Sequence, residues 1–110
     1  MMSSDKQLKK TFEKVRILSL ATPKARKQLI QNADRETVNC VSECCMNVLK
    51  GNVPLTPKEK ARLSKHRSHL HTVARKSTSL RDKKTIIQKG GFLGALLAPI
   101  VSLLGGLLLR

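Results

Sequence analysis

The chain contains no tryptophan, no tyrosine and only two phenylalanines. Large rings therefore neither fill a core nor offer a stacking platform for unpaired bases, which argues against an RRM or OB-type reader of single strands. Acids are scarce as well: seven Asp and Glu stand against 22 Lys and Arg. So few carboxylates leave little for metal binding or acid–base chemistry. No nucleophile, base and orienting acid stand in a recognisable spacing, and no glycine loop for a phosphate is present, so an enzyme and a small-molecule substrate are not expected. Six glycines and four prolines are too few for a low-complexity tail, while 17 leucines and a hydrophobic share of 40% are too many for a disordered one. Three cysteines form an odd set, and MMSSDKQLKK leads into a charged helix without the apolar centre of a signal peptide. A reducing intracellular compartment is the expectation.

What is present is charge. The net +15 over 110 residues is about one uncompensated cation in seven, which makes a polyanion the natural partner. The distribution is uneven: +5 over residues 1–34, 0 over 35–56, +9 over 57–89, and Arg110 alone in 90–110. An all-α chain in three parts is expected: a small helical head (1–55), a basic helical rod (56–89) and an apolar C-terminal helix or tail (90–110).

The head is punctuated clearly. Leu8, Phe12, Val15 and Leu18 recur at spacings of 4, 3 and 3, an amphipathic first helix that should stop near Ala21. Thr22 with Pro23 supplies an N-cap and a first-turn proline for a second helix lined by Ala25, Leu29, Ile30 and Ala33. Asp34 can cap a third, whose stripe is Val38, Val41, Cys45, Val48 and Leu49 and whose end is Gly51. Cys40, Cys44 and Cys45 lack a second ligand pair and are read as small buried side chains, so no metal is expected.

The rod opens on Thr56-Pro57-Lys58-Glu59, the pattern of a capping box. Lys58, Arg62, Lys65, His69, Thr72 and Lys76 then follow at spacings of 4, 3, 4, 3 and 4 and share one helix face, with Leu63, His66, Leu70, Val73 and Ala74 on another. Ser77, Thr78 and Ser79 interrupt the helix, and Ser79 with Asp82 caps a last short one. His66, His69 and His71 sit among Lys65, Arg67 and Arg75, which disfavour a divalent cation, so they are read as polar rod residues. The excess of nine charges in 33 residues points to nucleic acid or anionic lipid. Lys58, Arg62, Lys65, Arg67, Arg75, Lys76, Arg81, Lys83, Lys84 and Lys89 are the candidate phosphate-binding residues, positioning a duplex without reading its bases.

The tail, Gly90 to Leu109, is 20 residues without a charge. As a helix it reaches about 30 Å, enough to cross a bilayer core. Five glycines and Pro99 stand against a simple anchor. A helix apolar all round needs burial on every side, more than so small a head supplies, so membrane contact through Phe92, Leu93, Leu96, Leu97, Ile100, Val101, Leu103 and Leu104 is expected. The helices before the tail are expected to persist without it.

QKGGFLGALLAPIVSLLGG, residues 88–106, resembles the C-terminal part of the adenovirus core protein X family, precursors of the small DNA-condensing peptide mu. That family places a basic arm, then Gly-Gly, then an aliphatic tail with a proline; here these are Arg75 to Lys89, Gly90 with Gly91, and Pro99. Residues 48–99 also look like short proteins of adenovirus-like mobile elements, the Polintons or adintoviruses. The rod mixes Lys, Arg and His where mu is far richer in arginine, and the head has no counterpart. The resemblance implies a non-enzymatic virion core or minor capsid-type protein in virion and host nucleus. Its partners would be duplex DNA, viral capsid proteins and a viral protease that cuts after (M/I/L)-x-G-G. Gln88-Lys89-Gly90-Gly91 departs from that pattern at its first position, and Leu103-Leu104-Gly105-Gly106 fits it. No cofactor is implied. The alternative is a tail-anchored protein of a cellular membrane, its rod facing the cytosol and meeting anionic lipid.

Overall fold

Where each helix begins is decided by side chains that satisfy its first free N–H groups. A computed structural model describes the backbone of residues 5–108 and the side chains of residues 9–106, Gly90 excepted. The fold is all-α: α1 (Asp5–Leu20), α2 (Pro23–Gln31), α3 (Arg35–Leu49), α4 (Pro57–Ser64), α5 (Arg67–Ala74), α6 (Leu80–Gly90) and α7 (Leu93–Leu108). Thr22 Oγ1 accepts from Ala25 N, Asp34 Oδ1 from Thr37 N at 2.8 Å, and Ser79 Oγ from Asp82 N. At α4 both halves of the capping box form: Thr56 Oγ1 accepts from Glu59 N at 3.1 Å, and Glu59 Oε1 accepts from Thr56 N at 2.9 Å. Gly51 and Gly91 take φ of 78° and 68°, the left-handed region in which a side chain would be strained.

Burial follows the apolar stripes. Val15 and Leu18 of α1, Ile30 of α2, Val38, Val41 and Cys45 of α3, and Leu63, Leu70 and Val73 of α4 and α5 all turn inward. Leu8 lies outside the residues whose side chains are described. In α2 the stripe is thinner than expected, because Ala25 and Leu29 are exposed and Ile30 alone is fully buried.

Two expectations need correction. The rod is not one helix: Lys65 and His66 form a turn, His66 has φ −112° and ψ 21°, and no side chain caps α5. The halves then take different partners, α4 against α7 and α5 against α3 and α6. Nor does the tail stand apart. Phe92, Leu93, Leu96, Leu97 and Ile100 are each at most 4% exposed, within one core shared by all seven described helices. Six helices together supply the cover that the head alone could not. The Cα radius of gyration of 13.0 Å agrees with the roughly 13 Å expected of a single folded unit of this length.

The chain reaches that packing by turning 100° between α6 and α7, with Gly91 at the corner. α7 then runs along α1, where Phe12 lies over Gly105. Pro99 lies inside α7 and is buried, so the carbonyl of residue 95 lacks its usual helical donor. At the other end Arg26 ties α1, α2 and α7 together. Its guanidinium donates to the carbonyls of Leu18 at 2.9 Å and Ala21 at 3.0 Å, satisfying the end of α1 and opposing its dipole. A Cβ on Gly94 would come within 3.0 Å of that same guanidinium, so the absent side chain makes room for it.

Burying a side chain the size of Leu97 contributes about 1.5–3 kcal/mol, and α7 carries several at the centre of the core. A chain ending at Gly91 is therefore expected to lose its cooperative thermal transition and most of its helical circular dichroism. Leu97→Ala in the full chain should cost about 2–5 kcal/mol. Cooperative helix in residues 1–91 would mean that α1–α6 close a core of their own.

Candidate nucleic-acid interface

The cations of residues 57–89 stand free of acids because both acids of that segment sit at helix starts. Glu59 closes the capping box, and Asp82 lies in the first turn of α6. Among the described residues the ion pairs are Lys10 with Glu36 at 3.9 Å and Lys14 with Asp34 at 4.0 Å, both outside this segment. Hydrogen bonds from the Thr37 hydroxyl and backbone hold the Asp34 carboxyl below its ordinary range.

Of the ten candidate phosphate contacts, eight are exposed: Lys58, Arg62 and Lys65 at α4, Arg67 on α5, Arg75 and Lys76 in the following turn, and Arg81 and Lys89 on α6. The break at Lys65–His66 means that Lys58, Arg62 and Lys65 do not continue into His69, Thr72 and Lys76 along one straight face. Lys84 is half-buried and donates to the Gln31 carbonyl at 3.2 Å, pinning α6 to α2. Lys83 departs from expectation altogether. It is 6% exposed, and its ammonium donates to Ser42 Oγ at 2.9 Å while the Ser42 hydroxyl donates to the Val38 carbonyl. Burial holds Lys83 below the usual lysine range. The signal was present in the spacing: Leu80, Lys83 and Ile87 stand 3 and 4 apart, which puts Lys83 in the apolar stripe of α6.

The eight candidate membrane residues all lie on α7 or just before it. Val101, Leu103 and Leu104 are half-buried and the other five face the core. No single described helix is long and apolar enough to cross a membrane; the bent pair Leu80–Lys89 and Leu93–Gly106 reaches that length only jointly. The candidate processing glycines are likewise built into structure. Gly90 ends α6, Gly91 forms the corner, and Gly105 and Gly106 are helical, so a protease needing extended chain at either pair would first have to unwind it.

Three rings meet where the sequence pattern gave no sign of a cluster. His66 and His69 lie 6.0 Å apart between centroids, and Phe92 lies 6.0 Å from the first and 5.9 Å from the second. The two imidazoles thus cover the phenyl ring that opens α7. Among the described residues no cluster of three His, Cys, Asp or Glu can hold a metal ion. Neither family models, curated proteins nor solved structures provide a match to this chain.

Cys44 and Cys45 are buried and Cys40 is half-buried. Burial pushes the Cys44 and Cys45 thiols up to about 12. Since their folded values lie above the ordinary 9.0, the stability they contribute is complete below pH 9 and is lost as pH rises from there toward 12. A thiol reagent at neutral pH should therefore modify Cys40 first and reach the other two only on unfolding. Alkaline destabilisation should be shallower in Cys44→Ala/Cys45→Ala than in the parent, as followed by urea midpoints against pH.

Proposed function

We propose that the protein is a non-enzymatic binder of duplex DNA, of the virion core or minor capsid type, which grips the backbone through cations on α4–α6 without reading sequence. The observation that carries this reading is the exposure of eight basic side chains in a segment whose two acids are committed to helix starts. A surface so unbalanced attracts a polyanion and releases its counterions on binding, and that release supplies most of the affinity of nonspecific DNA binding. The resemblance of residues 88–106 to the adenovirus core protein X family adds the virion and host nucleus as the setting, with viral capsid proteins and a viral protease as further partners. Against the tail-anchored alternative, lipid contact would require α7 to leave a core that buries Leu96 and Leu97 completely.

Neutralising about eight phosphates should give a slope of log K against log salt near −7, similar for duplexes of any sequence. Replacing Lys58, Arg62, Lys65 and Lys76 together by Ala should remove roughly half of that slope, and Leu63→Ala should leave it unchanged while loosening the packing. A flat salt response in the parent overturns the reading; equal slopes in parent and quadruple variant would move the contact to other cations.

A further inference from the structure

Lys83 is the one described basic side chain buried outright, and it is buried without a carboxylate partner. An ammonium has three N–H groups to satisfy, and Ser42 Oγ takes one of them. Lys83 nevertheless lines open space: a groove of about 580 Å³ between α3, α6 and the turn joining α5 to α6. Arg35 and Lys50 border that groove from the two ends of α3 and Lys76 from the turn, against a single acid, Glu43. The groove thus holds a net excess of three positive charges with a desolvated ammonium on its wall.

Such a lining, strung along the length of α3, suits a row of singly charged oxyanions rather than one compact ion. Arginine offers a planar fork, lysines offer point charges, and a charge-assisted bond to a buried ammonium is stronger than one made in bulk water. One small isolated anion would leave most of these donors unsatisfied, and an apolar ligand would strand them all. We propose that this groove takes consecutive phosphates of one strand, with Lys83 as its inner donor and Arg35, Lys50 and Lys76 as outer donors spaced along it. On the duplex-binding reading above, on which the source of the ligand rests, the occupants are successive phosphodiesters of the DNA backbone. The groove then draws α3 into the interface, although residues 35–56 carry no net charge. Lys76 borders the groove and belongs also to the exposed set on α4–α6, so the two surfaces are continuous. Glu43 opposes the anion, and the lining stays net positive with its charge included.

Two measurements on the full chain separate the site from the reading it rests on. The first compares duplex affinity across salt for the parent, for the groove variant Arg35→Ala/Lys50→Ala and for the α4 variant Lys58→Ala/Arg62→Ala. Each pair should reduce the magnitude of the slope by about 2. Lys83→Met, which keeps the stem and removes the charge, should weaken duplex binding roughly tenfold at low salt. Circular dichroism confirms that each variant folds, and Arg35 and Lys50, both exposed, can be replaced without opening the core. The second measurement titrates inorganic phosphate while following the Lys83 side-chain ammonium by NMR. A saturable shift, weakened in Arg35→Ala/Lys50→Ala, is expected. If the parent binds duplex but the groove variants match it, the groove does not take the backbone and the assignment is overturned while the α4–α6 interface stands. If the parent fails to bind duplex yet phosphate shifts Lys83, the duplex reading falls and the groove remains a seat for a free phosphate. No shift and no effect of the groove variants would remove the site entirely.

Discussion

An uncharged helix that is apolar on nearly every side must be covered, and the arrangement of this chain follows from covering α7. Leu96 and Leu97 reach no solvent at all, and Phe92 is closed over as completely. A single partner helix hides one stripe of such a segment; hiding more takes contacts from several directions. α1 lies along it, while α3 and α4 approach from other sides. The 100° corner at Gly91 is what brings α7 back under these helices instead of letting it continue from α6. The Arg26 guanidinium then fastens the end of α1 across Gly94, and the imidazoles of His66 and His69 close over Phe92. Basic and polar residues far apart in sequence thus serve as the outer layer of an apolar centre.

Much of this was legible from local pattern. Each expected cap, at Thr22, Asp34, Thr56 and Ser79, forms the bond its residue type allows, because an N-cap depends on side-chain chemistry only three residues away. The stripe of α3 was equally readable, since a period of 3.6 needs no knowledge of what lies opposite. The fate of the tail was not. An apolar run states that a segment avoids water, and protein and lipid satisfy that demand alike. Choosing between them requires knowing whether the short helices of the basic and polar segments can assemble into a cover, which is a property of tertiary packing. The break at Lys65–His66 has the same origin: neither residue is a helix breaker, and the turn lets α4 pack against α7 while α5 packs against α3. For the candidate interface, charge density matches the exposure of eight of the ten residues, and Lys83 departs because its place in the apolar stripe of α6 outweighs its charge.

The same charge that suggests a partner opposes the fold. Bringing 22 bases and seven acids into a body with a radius of gyration of 13.0 Å raises the self-repulsion of the compact state relative to the extended chain. Two surface ion pairs near 4 Å return little of this, since exposed pairs of that length contribute about 0–1 kcal/mol. Among the described residues, the core that must hold against it is built from aliphatic side chains and two free thiols, with Phe92 as its one fully buried ring. A polyanion that binds only the folded surface removes repulsion and adds its binding free energy to stability by mass action. On the proposed reading, folding and binding are linked through one quantity, the uncompensated charge of α4–α6. The apolar centre keeps the cations in a fixed pattern, and an anionic partner lowers the repulsion that this pattern imposes.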